Sequence, residues 1–483
     1  MEKIIGRKEE LAVLQRLAQS ERAEFVAVYG RRRVGKTFLI SQFFKETGIY
    51  FEITGSKDAS KKEQIINFHR EFRALFKAEE KSSLPSSWSE AFDLLKQEII
   101  KIPITQKIIL FFDELPWLST PKSGFLSALE YFWNRHASRM PNVVIIICGS
   151  AASWMIKKVI NNRGGLYGRL SAEIRLQPFS LLETEEFFLD RRIELTRKQI
   201  TEIYMVTGGI PKYLSCVEKA QSSTQTINSL CFTPQGPLLK EFHKLYSSLF
   251  ENAYRHVKIV AALAYKREGM TQKDLFKLLD IPQGGRSSEI LEELIESGFI
   301  TSSQAYGKQI KERKFRLIDE YSLFYLTWID SMKENILRGS EDYWIKTQAT
   351  PSWYPWAGYA FENICLKHIL KIKEALAIGG VSTIASHWQY SPLKDERGAE
   401  VDLVIDRADD CINLCEIKFC NSEYVMSKQD SEDLERKKNV FKEKTQTKKA
   451  IFTTLITPYG ALENIHYRSS VHNQLTLDCF FKR

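Results

Sequence analysis

The sequence predicts a multidomain α/β protein, and three observations carry that reading. A short β-rich run, Phe25–Tyr29, leads into a glycine-bearing loop and then into residues with helical apolar spacing. After Lys107, an unbroken apolar run from Ile108 to Phe112 ends in Asp113 and Glu114, the pattern of a parallel strand covered on both faces. Near the far end, Val401, Leu403 and Ile405 alternate with Glu400 and Asp402, and a second alternating run follows over residues 414–419. At 483 residues the chain is too long for one hydrophobic core and divides into about three or four domains.

Composition narrows the class. Hydrophobic residues make up 43% and charged residues 27%, which excludes a disordered chain. Apolar runs such as Val143–Cys148 are strand-sized, so no membrane span is expected. The N-terminal residues lack an apolar export core, and a cytoplasmic location is expected. Lys and Arg number 69 against 60 Asp and Glu, a net +9 that permits nucleic-acid binding without requiring it. The 8 cysteines show no paired CxxC spacing. Cys411, Cys415 and Cys420 cluster, but Cys415 shares a strand face with Ile417 and Phe419. That alternation reads as core packing, with reduced thiols and no structural zinc expected.

The first element in order is the loop Gly30-Arg31-Arg32-Arg33-Val34-Gly35-Lys36-Thr37, followed by Phe38. Between a strand and a helix this is a P-loop. Its backbone N–H groups and helix N-terminus cradle phosphates, Lys36 reaches the β- and γ-phosphates, and Thr37 ligates Mg2+. Gly30 and Gly35 are expected to keep side chains out of the phosphate path. The three arginines are either solvated or turned to a partner subunit or nucleic acid. Asp113 then holds the ion, and Glu114 polarises the attacking water. Ser150, after the next buried run, is either a γ-phosphate sensor or a plain strand-end turn. Arg169 is a candidate arginine finger, in cis or from a neighbouring copy, so a homo-oligomer is an open possibility.

Taken in order, Ile5-Gly6-Arg7, the P-loop, Asp113-Glu114, Gly168-Arg169, Leu176-Gln177-Pro178-Phe179 and Gly208-Gly209-Ile210-Pro211 resemble the archaeal-type STAND/AAA+ ATPases. The resemblance covers about the first half of the chain. It implies ATP as the nucleotide, Gly6 and Arg7 beside the adenine, and a helical lid with Pro211 near the base. The lid segment departs from the family in offering Lys212 but no arginine as a second sensor.

In the middle, Gln221–Asn228 and Thr233-Pro234-Gln235-Gly236-Pro237 read as linker and turn after the lid. Helical patterns up to Lys266, over Gln272–Leu279 and over Ser287–Ser297 precede a hairpin, Phe299–Ser303 with Lys314–Ile318. That order resembles a winged helix. Its outward candidates are Arg286, Ser287, Ser288 and Glu289, and its wing carries Lys308, Lys311, Arg313, Lys314 and Arg316. Such a cluster suits DNA phosphates, while the same module in this family also serves as an internal spacer. Asp319–Leu326 continues into an aromatic helix expected to be core.

A second chemical signal closes the chain. A helix from Gly358, anchored by Phe361, Ile364, Ile369 and Leu370, carries Glu362. Pairing the two alternating strands as a hairpin brings Asp402 and Glu416 together beside Lys418. Asp402 and Glu416 offer hard oxygen ligands for Mg2+ or Mn2+, Glu362 completes the cluster, and Lys418 orients water or neutralises charge. The segment resembles the PD-(D/E)xK nuclease superfamily, a restriction-endonuclease-like α/β fold. The basic stretch from Arg436 to Lys449 lies either along the substrate backbone or on a solvated helix.

The expected organisation is therefore an ATPase core over residues 1–178, a lid over 179–250, a winged helix over 251–330, a linker over 331–350 and a nuclease-like domain over 351–483. The expected function is an ATP-hydrolysing, DNA-binding protein that positions a metal-dependent nuclease. The alternative is a nucleotide-switched DNA-binding regulator, or a protein-interaction switch, with an inactive nuclease fold.

Overall fold

Unbroken apolar runs build the first sheet. Its strands are β1 (Glu24–Tyr29), β2 (Ile49–Thr54), β3 (Ile108–Asp113), β4 (Val143–Gly149) and β5 (Ala172–Arg175). Every residue of β3 and β4 is buried, as a strand covered on both faces requires. All neighbours pair in parallel in the order β2-β3-β4-β1-β5. The C-terminal ends of β1, β3 and β4 therefore share one edge of the sheet. One face is covered by the helices Lys61–Phe76, Trp88–Ile99 and Phe125–Arg135, whose aromatic side chains interlock. Trp88 meets Phe125 edge-on at 4.7 Å, and Phe92 stacks on Phe132 at 5.1 Å. Truncating Phe92 to alanine there costs about 3–5 kcal/mol.

The computed structural model describes residues 3–77, 83–161, 166, 168–307, 312–339, 342–348, 350–392 and 397–482. The chain forms two compact units, Met1–Pro178 and Phe179–Arg483. Among the described residues no helix is long and apolar enough to cross a membrane.

The second unit begins with the helices Leu181–Asp190, Arg197–Thr207, Ser223–Cys231 and Glu241–Leu249. The third of these lies within the expected Ser/Thr/Gln linker. Ser222 and Gln225 form its capping box, and Thr226, Ile227 and Leu230 are buried, so tertiary packing outweighs a weak local propensity. The helices Ala253–Tyr265, Gln272–Leu278 and Gly285–Glu296 follow. They pack with a small antiparallel sheet of β6 (Met270–Thr271), β7 (Ile300–Ser303) and β8 (Lys314–Leu317), ordered β6-β8-β7. Thr271 caps its helix by accepting from the Asp274 N–H, as expected.

Residues 331–350, expected as a linker, hold two short helices, Lys333–Leu337 and Tyr343–Gln348. Trp344 anchors them: it is fully buried, stacked on Phe232 at 5.2 Å and edge-on to Phe324 at 5.0 Å. The helix carrying Glu362 starts at Trp353 rather than Gly358. Pro355 falls in its first turn, where a missing N–H breaks no intrahelical bond. The helix ends at Lys367 with His368 as C-cap, and Leu370 on the next short helix is 68% exposed, not a core anchor.

The last sheet contains β9 (Thr383–Tyr390), β10 (Ala399–Arg407), β11 (Cys411–Ile417), β12 (Ala450–Ile456) and β13 (Asn473–Leu475). Its order is β13-β12-β11-β10-β9. The β9–β10 and β10–β11 pairs are antiparallel, whereas β11–β12 and β12–β13 are parallel. The helices Lys428–Thr445 and Ile465–Ser470 make the crossovers that parallel pairing demands. Val401, Leu403, Ile405 and Cys415 are buried, but so is Val404, which shares a core with Val401: a register slip between these two valines interrupts the expected alternation.

Candidate functional site

The first site forms where β1, β3 and β4 end. Gly35 has φ +92° and opens the helix Lys36–Phe44. Gly30 has φ +146°, and a Cβ there would stand 2.2 Å from the Leu176 carbonyl oxygen. Its glycine is thus required by backbone packing beside β5, not by the phosphate path. The buried Lys36 ammonium donates to the carbonyls of Gly30 at 3.1 Å and Arg31 at 3.0 Å, and to Ser150 Oγ at 3.0 Å. Thr37 Oγ1 donates to Asp113 Oδ2 at 2.7 Å.

Ser150 joins the two carboxylate-bearing sides of the site. Its hydroxyl donates to Glu114 Oε1 at 2.6 Å and its N–H to Oε2 at 3.3 Å. Because that hydroxyl also accepts from Lys36, its proton is committed to Glu114. Glu114 itself is left-handed, with φ 47° and ψ 50°. Holding a non-glycine residue there costs about 1–3 kcal/mol, a cost characteristic of sites that need one fixed direction. Arg7, also left-handed at φ 58°, donates to the Gln177 carbonyl at 2.7 Å and the Val34 carbonyl at 3.1 Å. It thereby braces the loop. Arg32 lies over the Trp117 ring at 5.8 Å. The Thr37 hydroxyl and Asp113 carboxylate are hard oxygen donors, the set Mg2+ prefers.

The second site lies on the last sheet. Leu403 pairs with Cys415, so Asp402 and Glu416 face each other one step further along the hairpin. The β9–β10 pairing slips between Val401 and Val404, an irregularity that re-aims Asp402. Asp402 Oδ2 accepts from the Ile417 N–H at 2.8 Å. Glu416 is held by two lysines: Lys418 at 2.8 Å, just past the end of β11, and Lys437 at 2.7 Å from the crossover helix. Glu362 faces Arg316 at 3.7 Å.

Charge is crowded in this second site. Burial, then the Asp402 charge, pushes the Glu362 carboxyl up to about 8. Burial, then Glu416, pushes Asp402 up to about 7. Burial would also raise Glu416, but Lys418 and Lys437 outweigh it and hold its carboxyl below the usual range. Burial and neighbouring carboxylates thus favour the protonated form of Glu362 and Asp402, while lysines keep Glu416 ionised.

Comparison with known proteins bears on both sites. Residues 4–217 match the family described as an ATPase domain predominantly from Archaea. Residues 4–217 are an ATPase domain. Residues 325–434, which include Glu362, Asp402, Glu416 and Lys418, match a family described as archaeal and bacterial proteins of unknown function. An uncharacterised protein of Methanocaldococcus jannaschii is 25% identical over 418 residues, with 83% of each chain covered. An uncharacterised ATP-binding protein of the same organism is 47% identical over 45 residues, 9% of this chain and 76% of that one. Among solved structures, the chain is similar to a Walker-type ATPase of Pyrococcus abyssi at 20% identity and TM-score 0.48, covering 67% of this chain and 96% of that one.

Within the ATPase domain, Lys36, Thr37, Asp113, Glu114 and Ser150 converge, and Arg7 docks on the loop. Arg169 is exposed, and Tyr167 beside it lies outside the described residues. Pro211 opens the short helix Pro211–Leu214 in the second unit, after two left-handed glycines, Gly208 and Gly209.

Several expectations beyond the ATPase core need correction. Ser287 is buried and donates to the Pro282 carbonyl at 2.7 Å, so it does not face outward. Ser288 accepts from Gln272 at 2.9 Å, leaving Arg286 and Glu289 exposed. Of the wing cations, Lys308 and Lys311 lie outside the described residues. Lys314 donates to Gln389 at 3.2 Å, and Arg316 is buried against Glu362. The basic stretch is likewise committed internally: Arg436 to the Gly398 carbonyl, Lys437 to Glu416, Lys438 to Glu435 and Lys449 to Asp406. The Glu416-binding role of Lys437 was missed. Its signal is a lysine placed three positions past Leu434 on an amphipathic crossover helix.

Proposed function

We propose that the chain is an ATP-driven switch of STAND/AAA+ type whose C-terminal domain is a metal-dependent nuclease of PD-(D/E)xK type acting on DNA. One observation carries the nuclease reading: Glu362, Asp402, Glu416 and Lys418, scattered over 57 residues of sequence, come within electrostatic reach of one another from one helix and one hairpin. Asp402 and Glu416 would hold Mg2+ or Mn2+, with Glu362 completing the set. A bound ion supplies a Lewis acid and an activated water. Lys418, paired with Glu416 at 2.8 Å and 44% exposed at its side chain, would orient a water or neutralise a phosphate.

In the ATPase domain, the loop N–H groups and Lys36 bind the phosphates, Thr37 and Asp113 take the magnesium, and Glu114 accepts the proton of the attacking water. Ser150 aims Glu114 and reports on Lys36. The helix–hairpin module reads as a winged helix serving as an internal spacer. Of its described hairpin cations, Lys314 engages Gln389, which supports that role over groove binding, while Arg313 is exposed.

Supercoiled plasmid incubated with Mn2+ or Mg2+ tests the nuclease reading. Nicking that vanishes in Glu416→Ala and Lys418→Ala supports it, and intact plasmid with wild-type protein counts against it. A second reading, a nucleotide-switched DNA-binding regulator with a silent nuclease fold, draws on a separate observation. Two lysines already neutralise Glu416, and among the described residues no three His, Cys, Asp or Glu side chains converge closely enough to hold an ion. Salt-sensitive duplex binding without nicking would favour it.

A further inference from the structure

Arg316 lies on β8, in a hairpin that leans on the C-terminal sheet. The Tyr306 N–H donates to the His387 carbonyl at 3.0 Å, and Lys314 reaches Gln389 at 3.2 Å. Arg316 is only 8% exposed. A guanidinium carries five N–H donors in a planar fork and does not give up its charge. Yet its Nε is buried without a hydrogen-bond partner. Its ionic contact, to Glu362 Oε2, spans 3.7 Å, too long for a hydrogen bond. The Tyr359 ring covers it at 5.3 Å and fixes its plane. His387, close enough to feel the Arg316 charge, also has a buried ring nitrogen, Nε2, without a partner.

Buried donors of this kind are ordinarily satisfied, and a forked cation is satisfied best by an oxyanion. Glu362 is too distant to accept from the fork, and its side chain, at 26% exposed, is the accessible end of the pair. We propose that Arg316 binds a backbone phosphate of a nucleic acid at the edge of the carboxylate site. The site is then composite: the hairpin contributes the anion-binding fork, and the helix and sheet contribute Glu362, Asp402, Glu416 and Lys418. What those carboxylates do to the bound strand rests on the nuclease reading above; the phosphate contact is judged separately.

The test uses the full chain with Mg-ADP saturating the ATPase domain, Ca2+ present, and a short fluorescein-labelled DNA duplex followed by anisotropy across a salt series. Arg316→Gln is expected to weaken binding about tenfold and to lower the slope of log K against log salt by about one. Arg316→Lys keeps the slope but loses the fork, and recovers only part of the affinity. Unchanged affinity and slope in Arg316→Gln overturn the proposal. So does tighter binding or faster nicking, which would mean that the guanidinium plugs the site. Thermal melting checks the fold; if Arg316→Gln fails to fold, Arg316→Lys decides, and wild-type affinity there overturns the proposal. Inorganic phosphate titrated calorimetrically separates a free-anion site: phosphate binding lost in Arg316→Gln with duplex affinity unchanged overturns the nucleic-acid assignment. Failure of the nuclease reading shows separately, as wild-type protein that does not nick DNA in Mn2+ whatever the slope of Arg316→Gln.

Discussion

The two sites handle charge in opposite ways. At the P-loop, Lys36 has three acceptors, Thr37 is bonded to Asp113, and both Glu114 oxygens are engaged by Ser150. On the C-terminal sheet, Glu362 and Asp402 are buried close to further carboxylates, and Arg316 sits at the margin with a donor unused. The difference follows from assembly. At the P-loop, groups from β3 and β4 meet the loop as donor–acceptor pairs, whereas the C-terminal site brings carboxylate against carboxylate and leaves residual imbalance. Such imbalance is also where perturbed titration and function concentrate.

The largest test of this contrast is a crossed pair. Glu114→Gln should retain ATP but slow hydrolysis by about 10²- to 10⁴-fold, the weight of a general base, without altering nicking per bound metal. Glu416→Gln should do the converse in a plasmid assay. Loss of both activities in either variant would break the separation of the two sites.

Ser150→Ala comes next. It removes a hydrogen bond to a charged group, worth about 1.5–3 kcal/mol, so hydrolysis should fall about 10- to 100-fold with ATP affinity little changed. A rate equal to wild type would reduce Ser150 to a strand-end turn.

Lys437→Met should act more gently. Without that lysine Glu416 binds its proton more tightly, so the acidic limb of the cleavage profile moves to higher pH. An unmoved profile would restrict Lys437 to packing.

The smallest effect is on stability. Glu362 and Asp402 titrate in the fold at about 8 and about 7, above ordinary values of 4.5 and 3.8. The folded state therefore binds these protons more tightly than the unfolded chain. Their contribution is complete below about pH 4 and is lost as pH rises through about 7 to 8. The melting temperature of the metal-free second unit should fall across that window, and Glu362→Gln should flatten the fall. Glu416, held low by its lysines, contributes in the opposite sense and loses its share on acidification. A wild-type profile already flat from pH 5 to 8 would show the crowding to be relieved in solution.

Legibility tracked sequence distance. The parallel sheet, the P-loop and the Asp402–Glu416 hairpin were readable because each follows from a local period or a contiguous motif. Helix ends and linkers were less so: a serine- and threonine-rich stretch became a capped helix over Ser223–Cys231, and residues 331–350 were recruited by Trp344. Neither burial has a local signature, since the partner faces come from elsewhere in the chain.

By itself the sequence determined that the loop Gly30–Thr37 lies between a strand and a helix and that Asp402 and Glu416 lie on two paired strands. Periodicity and spacing are properties of the chain alone. The tertiary structure decided who answers those residues. It set Ser150 between Lys36 and Glu114 by inserting β4 between β1 and β3, brought Lys437 to Glu416 over a crossover, and turned Arg316 from an expected outer wing toward Glu362. A basic residue on a short hairpin has no period that tells inside from outside; only the surface it packs against makes that choice.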